Sequence, residues 1–308
     1  MISENSVQLN SDYNRRKFIS TTSKAAAAMM LLSSSAPGFA KDFGQKKSIT
    51  VGEIMDLFIS EVPGAPFNKT VDTLKSGNRD LVVTGIVTTM FATVDVIRRT
   101  IELGANFIIA HEPTFYNHED ETDWLANDEV YRYKADLLKR NNIAVWRNHD
   151  YIHSHIPDGV VKALVAKLGW TNYYDIKTSV ATLPQTTLKD VIQKAKMNLG
   201  ISTVRYIGSL TQPCKKILLM PGAAGGRRQI TAIAKEKPDV LVCGEIQEWE
   251  TAEYVRDARA KGDQLSLVVL GHIASEEAGS EYMVSWLKEK VPGVQVTHVP
   301  AKNSLFFL

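Results

Sequence analysis

The sequence predicts an α/β fold in two lobes, each a mixed sheet covered by helices, with a smaller middle lobe inserted in the main one. Three observations carry this. Short runs that are apolar at nearly every position recur along the chain. Segments with one apolar face at helical spacing separate them. The stretch from about 168 to 238 then changes texture. A strand apolar at every position is one buried on both faces, and covering helices provide that burial in an alternating chain.

Residues 81–87 form the first strand candidate, β-branched and apolar. Residues 93–103 follow as a helix, with Val94, Ile97 and Ile101 on one face and Gly104 as its C-cap. Strand 106–110, helix 129–141 and strand 143–146 come next. After the middle segment, with its helix at 188–199, strand 240–242, helix 251–261, strand 265–270 and helix 277–291 complete the alternation. The expected division is 48–167 with 239–308 as the main lobe, and 168–238 as the insert.

The first forty residues read as an export signal. Asn14-Arg15-Arg16-Lys17-Phe18-Ile19 is a twin-arginine pattern, followed by an apolar stretch at 25–32 and small residues up to Ala40. Charged, apolar and small-residue regions in that order mark a secretory leader. The expected location is therefore the periplasm, or otherwise outside the cytoplasm, by the twin-arginine route. The formal net charge is +2, and the leader's basic residues account for it. A neutral body has no basic face for nucleic acid or anionic membrane, so neither partner is expected. Cys214 and Cys243 lack metal-type spacing. They either pair in an oxidising compartment or serve as two small buried hydrophobes.

Chemistry collects at the strand ends. Strand 106–110 runs into His111-Glu112-Pro113. Strand 143–146 runs into Arg147-Asn148-His149-Asp150, then His153 and His155. Strand 240–242 leads to Gly244-Glu245, and strand 265–270 to Gly271-His272 with Glu276 four residues on. In open α/β sheets ligands bind beyond the carboxyl ends of the strands. Imidazole and carboxylate are the donors that suit Zn, Fe, Mn or Ni. Two divalent ions in one pocket need five or six such ligands. Glu245 is a candidate general base or a partner to a ligand imidazole, and for His118, His149 and His155 a supporting hydrogen bond is the expected role. Gly222 to Gly226, followed by Arg227 and Arg228, is either a plain strand-to-helix turn or an anion-binding one.

Four segments carry a family resemblance. Ala110-His111-Glu112-Pro113-Thr114-Phe115 is similar to a His-His-Pro-Leu-Phe signature. Residues 142–149 run into a His-Thr-Asn-Leu-Asp segment. Gly244-Glu245-Ile246 is similar to Thr-Gly-Glu-Ile, and Gly271-His272-Ile273-Ala274-Ser275-Glu276 to Gly-His-Tyr-Ala-Thr-Glu. In that order and separation they resemble the toroidal dinuclear-metal hexamers named after the Ngg-one-interacting factor and catalogued as type 2 GTP cyclohydrolase I. The resemblance implies a metal pair held by His111, Glu112, His153, His272 and Glu276, in a homohexamer. The signature's second His is here Glu112, and its ligand Asp falls on His153, an exchange that preserves three imidazoles and two carboxylates. Asp150 and His155 stand in reserve. The expected function is hydrolysis of a small molecule by a metal-activated water, with Glu245 catalytic. The alternative is a non-catalytic metal-binding or metal-storage oligomer.

Overall fold

The computed structural model describes residues 48–306; the twin-arginine segment lies outside the described residues. Among the described residues eleven strands form two mixed sheets. The first has the order β1(Leu74–Ser76), β4(Ala144–Arg147), β3(Phe107–Ala110), β2(Ile86–Thr89), β11(Val296–His298). All its neighbours are parallel except the β1 edge. The second has the order β5(Tyr174–Asp175), β6(Val180–Thr187), β8(Pro213–Met220), β9(Val240–Cys243), β10(Ser266–Val269), β7(Arg205–Ile207). There β8, β9 and β10 run parallel and the outer strands antiparallel.

The central strands bury both faces, as the apolar runs require. In β3, Phe107 and Ile109 enter one core while Ile108 and Ala110 enter the other. In β9, Val240 and Val242 face one side, Leu241 and Cys243 the opposite side. Successive side chains alternate across a strand, so only a continuous apolar run fills two cores at once.

Sheet membership corrects the sequence-based division. β9 and β10, assigned to the main lobe at 239–308, pair with β8 of the middle segment. Helix Gly226–Glu236 links β8 to β9, and helix Glu253–Ala260 links β9 to β10. These short crossovers keep the three parallel strands together. The change of texture near 168–238 reflects the half-exposed outer strands of this sheet, such as β6, rather than the limits of an insert.

Helix His272–Lys290 returns the chain to the first sheet. It starts directly after β10, five residues earlier than the sequence predicts, with Gly271 at φ 96° as its N-cap. Its far end, Met283, Trp286 and Leu287, packs into the core beneath β3 and β4. Among the described residues no helix is long and apolar enough to cross a membrane. Cys214 and Cys243 are buried and unpaired. They stand near opposite ends of adjacent strands, since Met220 is the residue opposite Cys243. Burial pushes their thiols up to about 11 and about 12.

Candidate metal centre

The carboxyl ends of both parallel sets converge on one pocket. Past β3, His111 and Glu112 keep pairing with the neighbouring chain through amides to the Thr89 and Met90 carbonyls. Past β4, His149 caps the short helix Asp150–Ser154, which carries His153. The buried Asp72 carboxylate fixes this turn, accepting from the His149 amide (2.8 Å) and the Tyr151 amide (2.7 Å). On the other side, His272 opens helix His272–Lys290 and Glu276 follows one turn later. Four residues apart they share a face, and Nε2 and Oε2 lie 3.0 Å apart.

Four imidazoles direct Nε2 into this pocket. His111 Nε2 lies 3.4 Å from Glu276 Oε2, and His153 Nε2 lies 3.9 Å from Glu276 Oε1. His272 Nε2 is 2.9 Å from Glu112 Oε1, and His149 Nε2 is 3.9 Å from the same oxygen. The rings of His111, His149 and His153 sit 4.9–5.1 Å apart. Two donor groups, His111–His149–His153 and His111–Glu112–Glu276, each bring their ligand atoms within 4.8 Å of one another.

The opposite ring nitrogens are all held from behind. Nδ1 of His111 meets the Asn148 carbonyl (3.2 Å), and Nδ1 of His149 meets Asp150 (2.9 Å). Nδ1 of His153 meets Asp158 (2.9 Å), and Nδ1 of His272 meets Glu245 (2.9 Å). An imidazole whose Nδ1–H is given to an oxygen keeps the Nε2 lone pair for a cation, the usual support of a metal-bound His. His111 Nε2 is buried without a hydrogen-bond partner, an orphan that a cation would satisfy. The donor chemistry therefore fits divalent metal.

The electrostatics separate the imidazoles. Burial, aided by His111 and His153, pushes His149 down to about 4, so it is a neutral donor at pH 7. Burial opposes charge on His272 as well, but the hydrogen bonds it donates to Glu112, Glu245 and Glu276 overrule burial and lift this group to about 12, so a cation at Nε2 would displace a proton. Burial would raise Glu112 and Glu276, yet His272 and His111 hold both below the usual carboxylate range. The pocket thus concentrates negative charge around nitrogen donors.

The second sheet contributes space. Gly222 has φ 63°, and a Cβ there would sit 2.3 Å from Glu276 Oε1. At Gly244 a Cβ would meet the Ser275 hydroxyl at 2.4 Å. The Gly222 amide donates to that hydroxyl. The glycine-rich turn is therefore a close-packed wall behind Glu276.

All five expected ligands meet in the pocket, together with His149. The reserve residues do other things. Asp150 backs His149 and accepts from Thr70 and the Val71 amide. His155 lies away from the group, beside Phe58 and Glu61. His118 forms a T-shaped pair with His149, ring centroids 6.1 Å apart.

Residues 70–304 match the profile of Duf34/NIF3 (NGG1p interacting factor 3). The chain belongs to the DUF34/NIF3 family. Among curated relatives, a "GTP cyclohydrolase 1 type 2 homolog" of Clostridium perfringens is 25% identical over 214 residues, covering 66% of this chain and 77% of the relative. Its namesake in Escherichia coli is 24% identical over 222 residues, covering 71% and 84%. The Bacillus cereus protein related to NIF3 superposes with a TM-score of 0.70 at 17% identity, over 85% of this chain and all of that one (100%). Staphylococcus aureus protein SA1388 gives 0.68 at 21% identity, over 84% and 99%. These structures share the DUF34/NIF3 fold.

Within this DUF34/NIF3 chain, several residues of the pocket escape sequence reasoning. His149 stands four before His153, the spacing that also joins His272 to Glu276, and that spacing is the available signal. Asp158 carries a weaker one, an Asp before a helix start: it caps helix Gly159–Leu168 while holding His153. Nothing local marks Asp72 or the fully buried Arg147.

Proposed function

We propose that this pocket holds divalent metal, up to two ions, and that the protein is an exported hydrolase acting on a small molecule. The observation that carries the reading is the set of four Nε2 atoms and two carboxylates facing one another, with every Nδ1 held from behind. His111, His149, His153, His272, Glu112 and Glu276 would hold the ions. Bound there, they would supply Lewis-acid polarisation of a substrate oxygen and a water acidified toward neutrality.

The chain's own groups divide the remaining work. Asp150, Asp158 and the Asn148 carbonyl fix three rings. Phe91 and the His272 ring form a T-shaped pair with centroids 6.1 Å apart. Glu245 orients His272 through Nδ1, and its side chain is 53% exposed against 9% for Glu112 and 5% for Glu276. It is thus the carboxylate of this group placed to meet water at the rim and hold a proton there. The relatives' name supports ring-opening hydrolysis as the reaction class. Residues 14–40 support the twin-arginine route, which argues against a nucleoside triphosphate as substrate, and the family resemblance supports a hexameric ring.

The test is purified, metal-analysed protein assayed against phosphoesters, amides and cyclic nucleobases. Metal-dependent turnover that falls at least about a hundredfold in Glu245→Gln, with metal retained, is the expected result. Full metal occupancy with no turnover on any substrate class would instead favour a metal-binding or storage oligomer.

A further inference from the structure

Glu112 and Glu276 are chemically alike but differently held. Both oxygens of Glu276 face imidazoles: Oε1 faces His153, and Oε2 faces His272 and His111. Glu112 is split. Oε1 faces His272 and His149, whereas Oε2 turns away to Arg147 Nη2 at 3.5 Å.

Arg147 is the last residue of β4, and its side chain has no exposure. The guanidinium donates through Nε to the His111 carbonyl and through Nη1 to the His118 carbonyl, so it also fastens the loop that carries Glu112. Asp120 lies 3.6 Å from Nη1, and Lys75 reaches the same Asp120 oxygen at 3.2 Å. Two cations therefore face two carboxylates in this buried set. Glu112 thus has a permanently charged guanidinium against one oxygen, whereas the ion-pair partners of Glu276 among the described residues are imidazoles, which can give up a proton to a metal ion. A buried guanidinium beside a carboxylate competes with any other cation for it.

We propose that Arg147 makes the centre unequal, giving one tightly held ion and one exchangeable ion. The tight position lies among His111, His149 and His153, whose donor nitrogens stand within 4.8 Å of one another, with Glu276 beside the His111 and His153 nitrogens, a set rich in imidazole. The exchangeable position lies at Glu112 and His272, where Glu112 offers a single oxygen and Arg147 opposes added positive charge. Glu276, with an oxygen toward each half, is the carboxylate that serves both. Arg147 is thus a positioning residue that touches no substrate. The inference rests on the pocket being a metal centre.

The test uses the full mature chain, stripped with chelator and titrated with Co2+ alone, read by calorimetry and by cobalt absorption. The expected result is two binding steps separated by at least about tenfold, with Arg147→Met tightening only the second by a similar factor. A merely structural loss would loosen binding, so tightening reports the specific role. Glu112→Gln, nearly isosteric, is expected to weaken the second step and spare the first, and it decides the matter if Arg147→Met does not fold. Two equal steps in the unaltered protein, or Glu112→Gln weakening both alike, would overturn the asymmetry while leaving the metal centre in place. No Co2+ binding at all would overturn the metal reading itself.

Discussion

The two sheets reach the pocket by different physical means. At the edge of the first sheet the donors sit on loop and on one short helix, and buried side chains hold that chain: Asp72 grips the His149 turn, and Arg147 fastens the His111–His118 loop. At the edge of the second sheet His272 and Glu276 stand on a helix and need little tethering. That side supplies room instead, through Gly222 and Gly244. A loop fixes a ligand only if polar groups with few alternatives anchor it, whereas a helix fixes a ligand by its own geometry. The helix also joins the halves, since its start carries donors and its end lies in the core under the first sheet.

This contrast can be broken from either side. Chelation should have the largest effect, because it removes the group that both edges share. An ion present at about a thousand times its Kd stabilises by about 4 kcal/mol, so stripping should lower Tm measurably by calorimetry. An unchanged Tm would mean that the edges meet without metal linkage. Gly222→Ala strikes the second edge. A non-Gly residue at φ 63° with its Cβ against Glu276 should cost roughly 2–3 kcal/mol and reduce metal per chain, read by urea unfolding and elemental analysis. Asp72→Asn strikes the first edge. It leaves one oxygen to accept from the His149 and Tyr151 amides and should cost about 1–2 kcal/mol. Its metal loss should be restricted to the His149–His153 side, visible as a changed cobalt spectrum.

The smallest effect concerns Lys134, buried under the first-edge loop with Nζ donating to the Thr114 carbonyl. Burial pulls its ammonium down to about 8, against an ordinary 10.5. Between those values the unfolded chain binds the proton that the folded chain releases, so this group makes stability rise with pH there. The Tm of the unaltered protein relative to Lys134→Met should therefore increase from pH 7.5 toward 9.5. A flat difference would show that the ammonium stays charged.

What is legible in the sequence follows the same division. Apolar runs ending in His or Glu are local patterns, so the amino-acid order alone puts His111, Glu112, His272 and Glu276 at strand ends. The α/β class is equally legible, because alternation is local. Sheet membership is not: whether β9 joins β8 or β4 depends on pairing between distant segments, and both alternatives suit its sequence. The anchors are also illegible. Asp72 is 77 residues from His149 in sequence, and Arg147 reads as an ordinary basic residue until the fold buries it. His149 itself reads as a supporting residue because the family resemblance places the implied ligand at His153. In the folded chain its bond to Asp150 uses Nδ1 and leaves Nε2 toward the pocket.

The most direct measurement is elemental analysis of protein purified without chelator, coupled to an anomalous-scattering map. The expected result is one to two transition-metal ions per chain, with density among His111, His149, His153, Glu112, His272 and Glu276. Less than one ion per chain, or anomalous density elsewhere, would contradict a metal centre built from both sheet edges.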